Sequence, residues 1–245
     1  MNCNFFDSPY PHVSIEKILT EEENLNLYNI CNKLVQENKE EIDSYKFFVL
    51  EQDRHLIDEH GMDWCLENGI IQNNEGLNKL FSKDFKHNIR TIYSNISKKL
   101  FDVMNQNKSL FPELKTVNGD CSFNCNLVIT CDNEKWKALY PHTDWRFDIL
   151  NDMGYGNLTE DNEETKFISG IGYYKGLIYI GDPNLEYKDY GTRIYKDENR
   201  SSEVKEIPFI PGNGMMFKTT KNSYHGTEFK SGYKNYRYTI TFEYY

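Results

Sequence analysis

The chain has 245 residues, of which 38% are hydrophobic and 15% aromatic, enough to form a substantial buried core and to argue against disorder. Its formal net charge of −10 repels phosphate backbones and anionic lipid, so neither nucleic acid nor a membrane is expected as a partner. The sequence has no signal-peptide pattern and no apolar run that could span a membrane. We therefore expect a cytoplasmic protein whose six cysteines are reduced.

In chain order, the first half of the sequence predicts mostly helices. Residues 11–19 (PHVSIEKIL) alternate as a short strand would, and Thr20 with Glu23 forms a capping-box pattern that predicts the start of a helix. Apolar side chains then follow at helical spacing, at Leu27, Tyr28, Cys31, Leu34 and Val35. YKFFVL (45–50) predicts a strand, and a second, longer helix is expected over about 76–106.

After residue 118, short β-rich runs punctuated by Gly and Pro replace the helical pattern. These runs are FNCNLVIT, KGLIYIG, GTRIY, VKEIPFI, GMMFK and YRYTITFEYY. Such spacing favours a sandwich or barrel, and we expect an α+β fold in one domain, 1–245. Residues 1–118 would be mainly helical support and 119–245 the β core. The Gly- and acid-rich segment 149–174 is either disordered or functional, for instance as a lid.

Two groups of metal-ligand residue types have ordinary explanations. Cys121, Cys125 and Cys131 could suggest zinc, but their spacing lacks a second pair, and buried thiols on a strand are the favoured interpretation. His55 and His60 flank the acidic stretch RHLIDEH, which we interpret as a solvated helix or loop face.

The β half of the sequence also contains a His-x-Asp pair, a second His and an Arg, in that order. His142 and Asp144 stand two apart, so on an extended chain both point to the same side and could reach one metal from a strand end. His225, which we expect on a facing strand, would supply a second imidazole. Two imidazoles and one carboxylate form the facial triad of non-haem Fe(II) oxygenases, which leaves three positions open. Arg237 offers a planar two-donor fork that fits a buried carboxylate.

The motifs PHTD (141–144) and SYHG (223–226), followed by Arg237, resemble the Fe(II)/2-oxoglutarate-dependent oxygenases, in particular the prolyl-4-hydroxylase-like branch. KGLIYIGDP with YGTRIY resembles the paired core strands of that branch. The resemblance implies a double-stranded β-helix, or jelly roll, in the C-terminal half, with the N-terminal helices packed outside.

The resemblance also implies the roles of individual residues. His142, Asp144 and His225 would be the catalytic residues that bind Fe(II), and Arg237 would bind the distal carboxylate of the co-substrate 2-oxoglutarate, with Thr239 adding a hydroxyl. Dioxygen would be the third reactant. Because Asp144 is retained, hydroxylation is favoured over halogenation. Many relatives carry a Tyr about ten residues before the His-x-Asp pair, and this chain does not; the candidates to substitute for it are Asn124, Asn126, Tyr173 and Tyr179.

Three functions remain open from the sequence. The leading hypothesis is a dioxygenase that hydroxylates a small-molecule or peptidyl substrate and releases succinate and CO2. The second is a cupin-like metalloenzyme that does not use 2-oxoglutarate, and the third is a non-catalytic β-sandwich binding module. Arg193 in GTRIY would either face the substrate or form a cross-strand ion pair. Substrate and oligomeric state are not indicated by the sequence.

Overall fold

The computed structural model describes residues 2–37, 39–40, 47–55, 83–107, 109, 123–131, 138–144, 174–188, 190–228 and 236–244. Within these residues it has two α-helices, α1 (Glu21–Glu37) and α2 (Lys83–Gln106), and eleven strands arranged in two antiparallel sheets. The predicted lid segment lies outside the described residues, apart from Tyr174 at its end. No helix in the described part of the chain is long and apolar enough to cross a membrane.

The larger sheet has seven strands in the order β1-β2-β9-β6-β11-β4-β3. Its strands are β1 (Cys3–Phe6), β2 (His12–Ile15), β3 (Phe47–His55), β4 (Phe123–Cys131), β6 (Tyr174–Ile180), β9 (Gly214–Lys218) and β11 (Tyr236–Tyr244). The smaller sheet has four strands in the order β5-β10-β7-β8. Its strands are β5 (Ala138–His142), β7 (Thr192–Tyr195), β8 (Glu203–Ile207) and β10 (His225–Glu228), and a short 3₁₀ turn (Arg200–Ser202) precedes β8.

The capping box predicted at the start of α1 is confirmed. The backbone N–H of Glu23 donates to Thr20 Oγ1 at 3.1 Å, and the backbone N–H of Thr20 donates to Glu23 Oε2 at 2.8 Å. Asn24, buried in the first turn, exchanges hydrogen bonds with both backbone groups of Gly181 at the end of β6. These contacts fix the position of the helix start against the large sheet.

The two faces of the large sheet have different neighbours because strand side chains alternate. On one face, β4, β6 and β11 pack against apolar side chains of both helices, including Leu27, Cys31, Tyr93, Ile96 and Leu100. On the other face, Tyr179, Met215 and Phe217 pack against Ile194 and Ile207 of the small sheet. A pocket lies between the two sheets, on this second face of the large sheet.

Most predicted elements are confirmed, with three differences. The strand expected over 45–50 is β3, Phe47–His55, so the interpretation of RHLIDEH as a helix or loop face is wrong for its first two residues. The first part of the predicted 76–106 helix lies outside the described residues, and α2 begins at Lys83 among those described. The short strand β1 was not predicted, and β5 and β10 were expected only as the strands that carry His142 and His225, without bounds.

Gly176 in β6 has no room for a larger side chain. A Cβ atom there would lie 2.2 Å from the carbonyl oxygen of Met215 and 2.4 Å from the ring of Phe242. We expect Gly176→Ala to lower the free energy of unfolding by about 1–3 kcal/mol, because the central strands β9 and β11 must shift to relieve the overlap. Urea denaturation would measure the change. Val204→Ala, at an exposed position of β8, is the control and should stay within about 0.5 kcal/mol of wild type.

Candidate functional site

The small sheet brings His142 and His225 side by side. His142 ends β5 and His225 begins β10, and the two are paired in register, with ring centroids 4.5 Å apart. Asp144 follows β5 by two residues, and the ligand atoms of the three side chains all lie within 4.8 Å of one another. The expectation that His225 comes from a facing strand is wrong: facing sheets are about 10 Å apart, whereas adjacent strands are about 4.8 Å apart and let both imidazoles reach one point.

The His225 ring is held in one orientation by its neighbours. Its Nδ1 donates to the carbonyl oxygen of Ser223 at 3.0 Å, and Ser223 is itself fixed because its Oγ donates to the carbonyl oxygen of Thr220 at 2.8 Å. The ring of Phe217, from the large sheet, packs against the imidazole with centroids 4.6 Å apart. Because a carbonyl oxygen can only accept, Nδ1 carries the hydrogen and Nε2 is left with its lone pair. His225 Nε2 lies 3.5 Å from Asp144 Oδ2.

Burial lowers the pKa of His225 to about 4, although Asp144 and the hydrogen bond to Ser223 act in the opposite direction. The imidazole is therefore neutral at physiological pH. A neutral imidazole is the form that binds a metal ion.

The donor set fits ferrous iron. Two imidazole nitrogens and one carboxylate oxygen are the ligands of the facial triad, and they leave positions open for further ligands. Among the described residues, these three form the one group of three or more His, Cys, Asp or Glu side chains that could hold a metal ion. Cys125, from the alternative zinc interpretation, is buried on β4, while Cys121 lies outside the described residues.

The three residues open onto a pocket of about 470 Å³ between the sheets, a size suited to a small ligand. Arg237 and Thr239 line the same pocket from β11. Because alternate residues of a strand face the same side, Thr241 and Glu243 of β11 also line the pocket. The sequence motifs thus select five residues, and the structure places all five around one cavity.

Arg237 is a buried cation whose hydrogen-bond partners among the described residues are neutral. Only 4% of the residue is exposed, its Nε donates to the carbonyl oxygen of Tyr190 at 2.9 Å, and its Nη2 donates to Thr192 Oγ1 at 3.0 Å. Its guanidinium carbon also lies 5.5 Å from the centre of the Tyr179 ring. Burial lowers the pKa of Arg237, but an arginine stays charged in proteins. A buried charge with neutral partners favours an anionic ligand, and a carboxylate matches the guanidinium fork.

Thr192, at the start of β7, was not identified from the sequence. Its Oγ1 accepts hydrogen bonds from Arg237 Nη2 and, at 3.0 Å, from the hydroxyl of Tyr179. The Tyr179 hydroxyl also lies 3.3 Å from the carbonyl oxygen of Ile207, and Thr192 itself lines the pocket. Burial raises the pKa of Tyr179, which keeps the phenol protonated as a donor. The sequence analysis named four candidates to substitute for the tyrosine missing before the His-x-Asp pair. Among them, the structure describes the side chain of Tyr179 only, and this side chain contacts both Arg237 and Thr192.

Arg193 is the other arginine that the sequence analysis considered. Its Nη1 forms a cross-strand ion pair with Glu203 of β8, as one of the two sequence interpretations expected.

The fold is similar to solved structures at low sequence identity. A prolyl-4-hydroxylase from Pseudomonas putida gives a TM-score of 0.42 at 10% identity, over 95% of this chain and 91% of that chain. IDO from Bacillus thuringiensis gives 0.44 at 12% identity, over 96% and 89%. Dioxygenase for auxin oxidation 1 from Arabidopsis thaliana, in a binary complex with 2-oxoglutarate, gives 0.43 at 13% identity, over 83% of this chain and 64% of that chain.

No family model matches the sequence, and no curated protein matches it significantly. At TM-scores of 0.42–0.44, the function proposed below takes its support from the pocket residues themselves.

Proposed function

We propose that the chain is an Fe(II)- and 2-oxoglutarate-dependent dioxygenase that hydroxylates its substrate and releases succinate and CO2. His142, Asp144 and His225 would hold the iron, and Arg237, with Thr192 and Thr239 beside it, would hold the distal carboxylate of 2-oxoglutarate. When bound together, iron and 2-oxoglutarate supply the oxidising chemistry that activates dioxygen. The protein would contribute orientation, charge and a pocket shaped by its two sheets.

One observation carries the proposal: two imidazoles with a carboxylate, and a buried arginine whose hydrogen-bond partners in the described part of the chain are neutral, line the same cavity. The first group suits a divalent cation, and the second suits a carboxylate. A 2-oxo acid with a second carboxylate satisfies both, since one end can chelate the metal while the other reaches the guanidinium. A metal site alone would leave the charge of Arg237 unexplained.

The strand order supports a jelly-roll core for this function. The eight strands β4–β11 divide into the four-stranded sheet β5-β10-β7-β8 and the neighbouring strands β9-β6-β11-β4 of the large sheet. Successive strands pass from one sheet to the other, apart from the β7–β8 hairpin. This arrangement is expected of a double-stranded β-helix with additional strands at the edges of one sheet. It brings the ends of β5 and β10 together, where the proposed iron ligands lie.

We expect the substrate to be a small molecule or a peptidyl side chain. The chain's net charge of −10 favours a neutral or cationic substrate over nucleic acid or an anionic membrane.

The test is an anaerobic titration of the purified protein with Fe(II) and then with 2-oxoglutarate, followed by visible absorption. The proposal expects a metal-to-ligand charge-transfer band that grows with 2-oxoglutarate and saturates at one equivalent per chain. Iron binding without the band would instead favour the cupin-like metalloenzyme. A protein that does not bind iron would favour the non-catalytic binding module.

A further inference from the structure

A lysine lies beside the proposed iron ligand Asp144. Lys175 is on β6, directly opposite Glu243 of β11 in the strand register, and its Nζ forms an ion pair with Glu243 Oε1. The same Nζ lies 3.9 Å from Asp144 Oδ1. The side chains of Lys175, Glu243 and Asp144 are 13%, 18% and 21% exposed, so solvent screens their interactions only in part.

The two oxygens of Asp144 have different neighbours. Oδ2 lies 3.5 Å from His225 Nε2 and therefore points toward the proposed iron position, whereas Oδ1 lies toward Lys175. A metal ion and the lysine ammonium group would thus compete for the same carboxylate. The position of Lys175, between two carboxylates, determines how strongly it competes.

We propose that Lys175 is the internal counter-ion of Asp144 when no metal is bound, and that Glu243 sets metal affinity by drawing Lys175 away. Glu243 is then a positioning residue, which acts on the metal site through Lys175. These three side chains together carry a net negative charge, which favours a divalent cation at Asp144. As the cation takes the charge of Asp144, the ammonium group remains fully paired with Glu243. The inference rests on the metal site of the proposed function.

The proposal predicts that a second substitution, at Lys175, reverses the effect of the first, at Glu243, on metal affinity. Glu243→Gln removes the alternative partner, so Lys175 pairs with Asp144 and metal binding is expected to weaken by about tenfold. Lys175→Met/Glu243→Gln removes the competing cation as well, and its metal affinity is expected to return to within about threefold of wild type. Simple damage to the fold would not be reversed by a second substitution at the same place.

The experiment is isothermal titration calorimetry with Mn(II), a redox-stable probe, at fixed pH and ionic strength. It would use wild type, Glu243→Gln, the double variant and Glu203→Gln. The last variant is the matched control, since Glu203 belongs to the other cross-strand ion pair, with Arg193, and should not affect Mn(II) affinity. Thermal unfolding of each variant without metal would establish that all are folded.

The proposal is overturned if Glu243→Gln binds Mn(II) as tightly as wild type. It is also overturned if the double variant binds as weakly as Glu243→Gln, because Glu243 would then act other than through Lys175. Failure of the proposed function gives a different result, namely no Mn(II) or Fe(II) binding by the wild-type protein itself, and the inference falls with it.

Discussion

Arg237→Ala is expected to raise the 2-oxoglutarate concentration required for half-saturation by on the order of 100-fold or more. Removing one partner of a buried, hydrogen-bonded charge pair costs about 2–5 kcal/mol, and Arg237 is the buried cation in the described part of the pocket that could meet the distal carboxylate. Fe(II) affinity should change little, because Arg237 is not among the proposed metal ligands. The charge-transfer band, titrated with 2-oxoglutarate, would measure the shift.

Two further variants sharpen the Arg237 experiment. Arg237→Lys retains a positive charge but not the planar fork or the hydrogen bond from Nε to Tyr190, and we expect an intermediate affinity for 2-oxoglutarate. Arg193→Ala, which breaks the ion pair with Glu203 instead, is the matched arginine control and should leave 2-oxoglutarate binding unchanged. Equal 2-oxoglutarate affinity in wild type and Arg237→Ala would exclude Arg237 as the carboxylate-binding residue.

Ligand-induced stabilisation provides an independent readout of the same interaction. The guanidinium of Arg237 is buried among neutral partners, so a bound dicarboxylate should compensate its charge and raise the melting temperature of the wild-type protein. Under anaerobic conditions with Fe(II), the wild type should show this rise on addition of 2-oxoglutarate. Arg237→Ala should lack it at the same concentration.

The sequence predicted the elements whose side-chain pattern is strong and local. The terminal strand alternates apolar residues that pack toward the helices with Arg237 and Thr239, which face the pocket, and this period of two is visible without the structure. The capping box at Thr20 depends on residues three apart and was equally accessible. The three proposed metal ligands were selected by motif, and the structure brings their ligand atoms together.

The remaining features depend on contacts between distant parts of the chain. The strands β5 and β10 consist of ALYPH and HGTE, which have weak strand patterns, and they form because each pairs with the other. The contact of Lys175 with Glu243 spans 68 positions (243 − 175) and follows from the β6–β11 register. The role of Thr192 beside Arg237 likewise requires two strands from different sheets. Single-sequence patterns contain no information about such registers.

His225→Ala is expected to weaken Fe(II) binding by at least about 100-fold and to abolish the charge-transfer band at stoichiometric metal. Loss of a partner that only orients a ligand typically costs about 10–100-fold in metal affinity, and removal of the ligand itself should cost more. The variant also leaves Asp144 without the imidazole that lies 3.5 Å from its Oδ2. Anaerobic equilibrium dialysis with Fe(II) would measure the loss, with circular dichroism to establish that the variant is folded.

His12 provides a matched control, because its local environment repeats that of His225. Both residues are buried, both begin a strand, and in both Nδ1 donates to the carbonyl oxygen two residues earlier, Tyr10 for His12 and Ser223 for His225. His12 belongs to no candidate metal group among the described residues. His12→Gln should therefore retain wild-type Fe(II) affinity. If instead both histidine variants lose iron equally, the loss reflects damage to the buried core, and the assignment of His225 as an iron ligand is wrong.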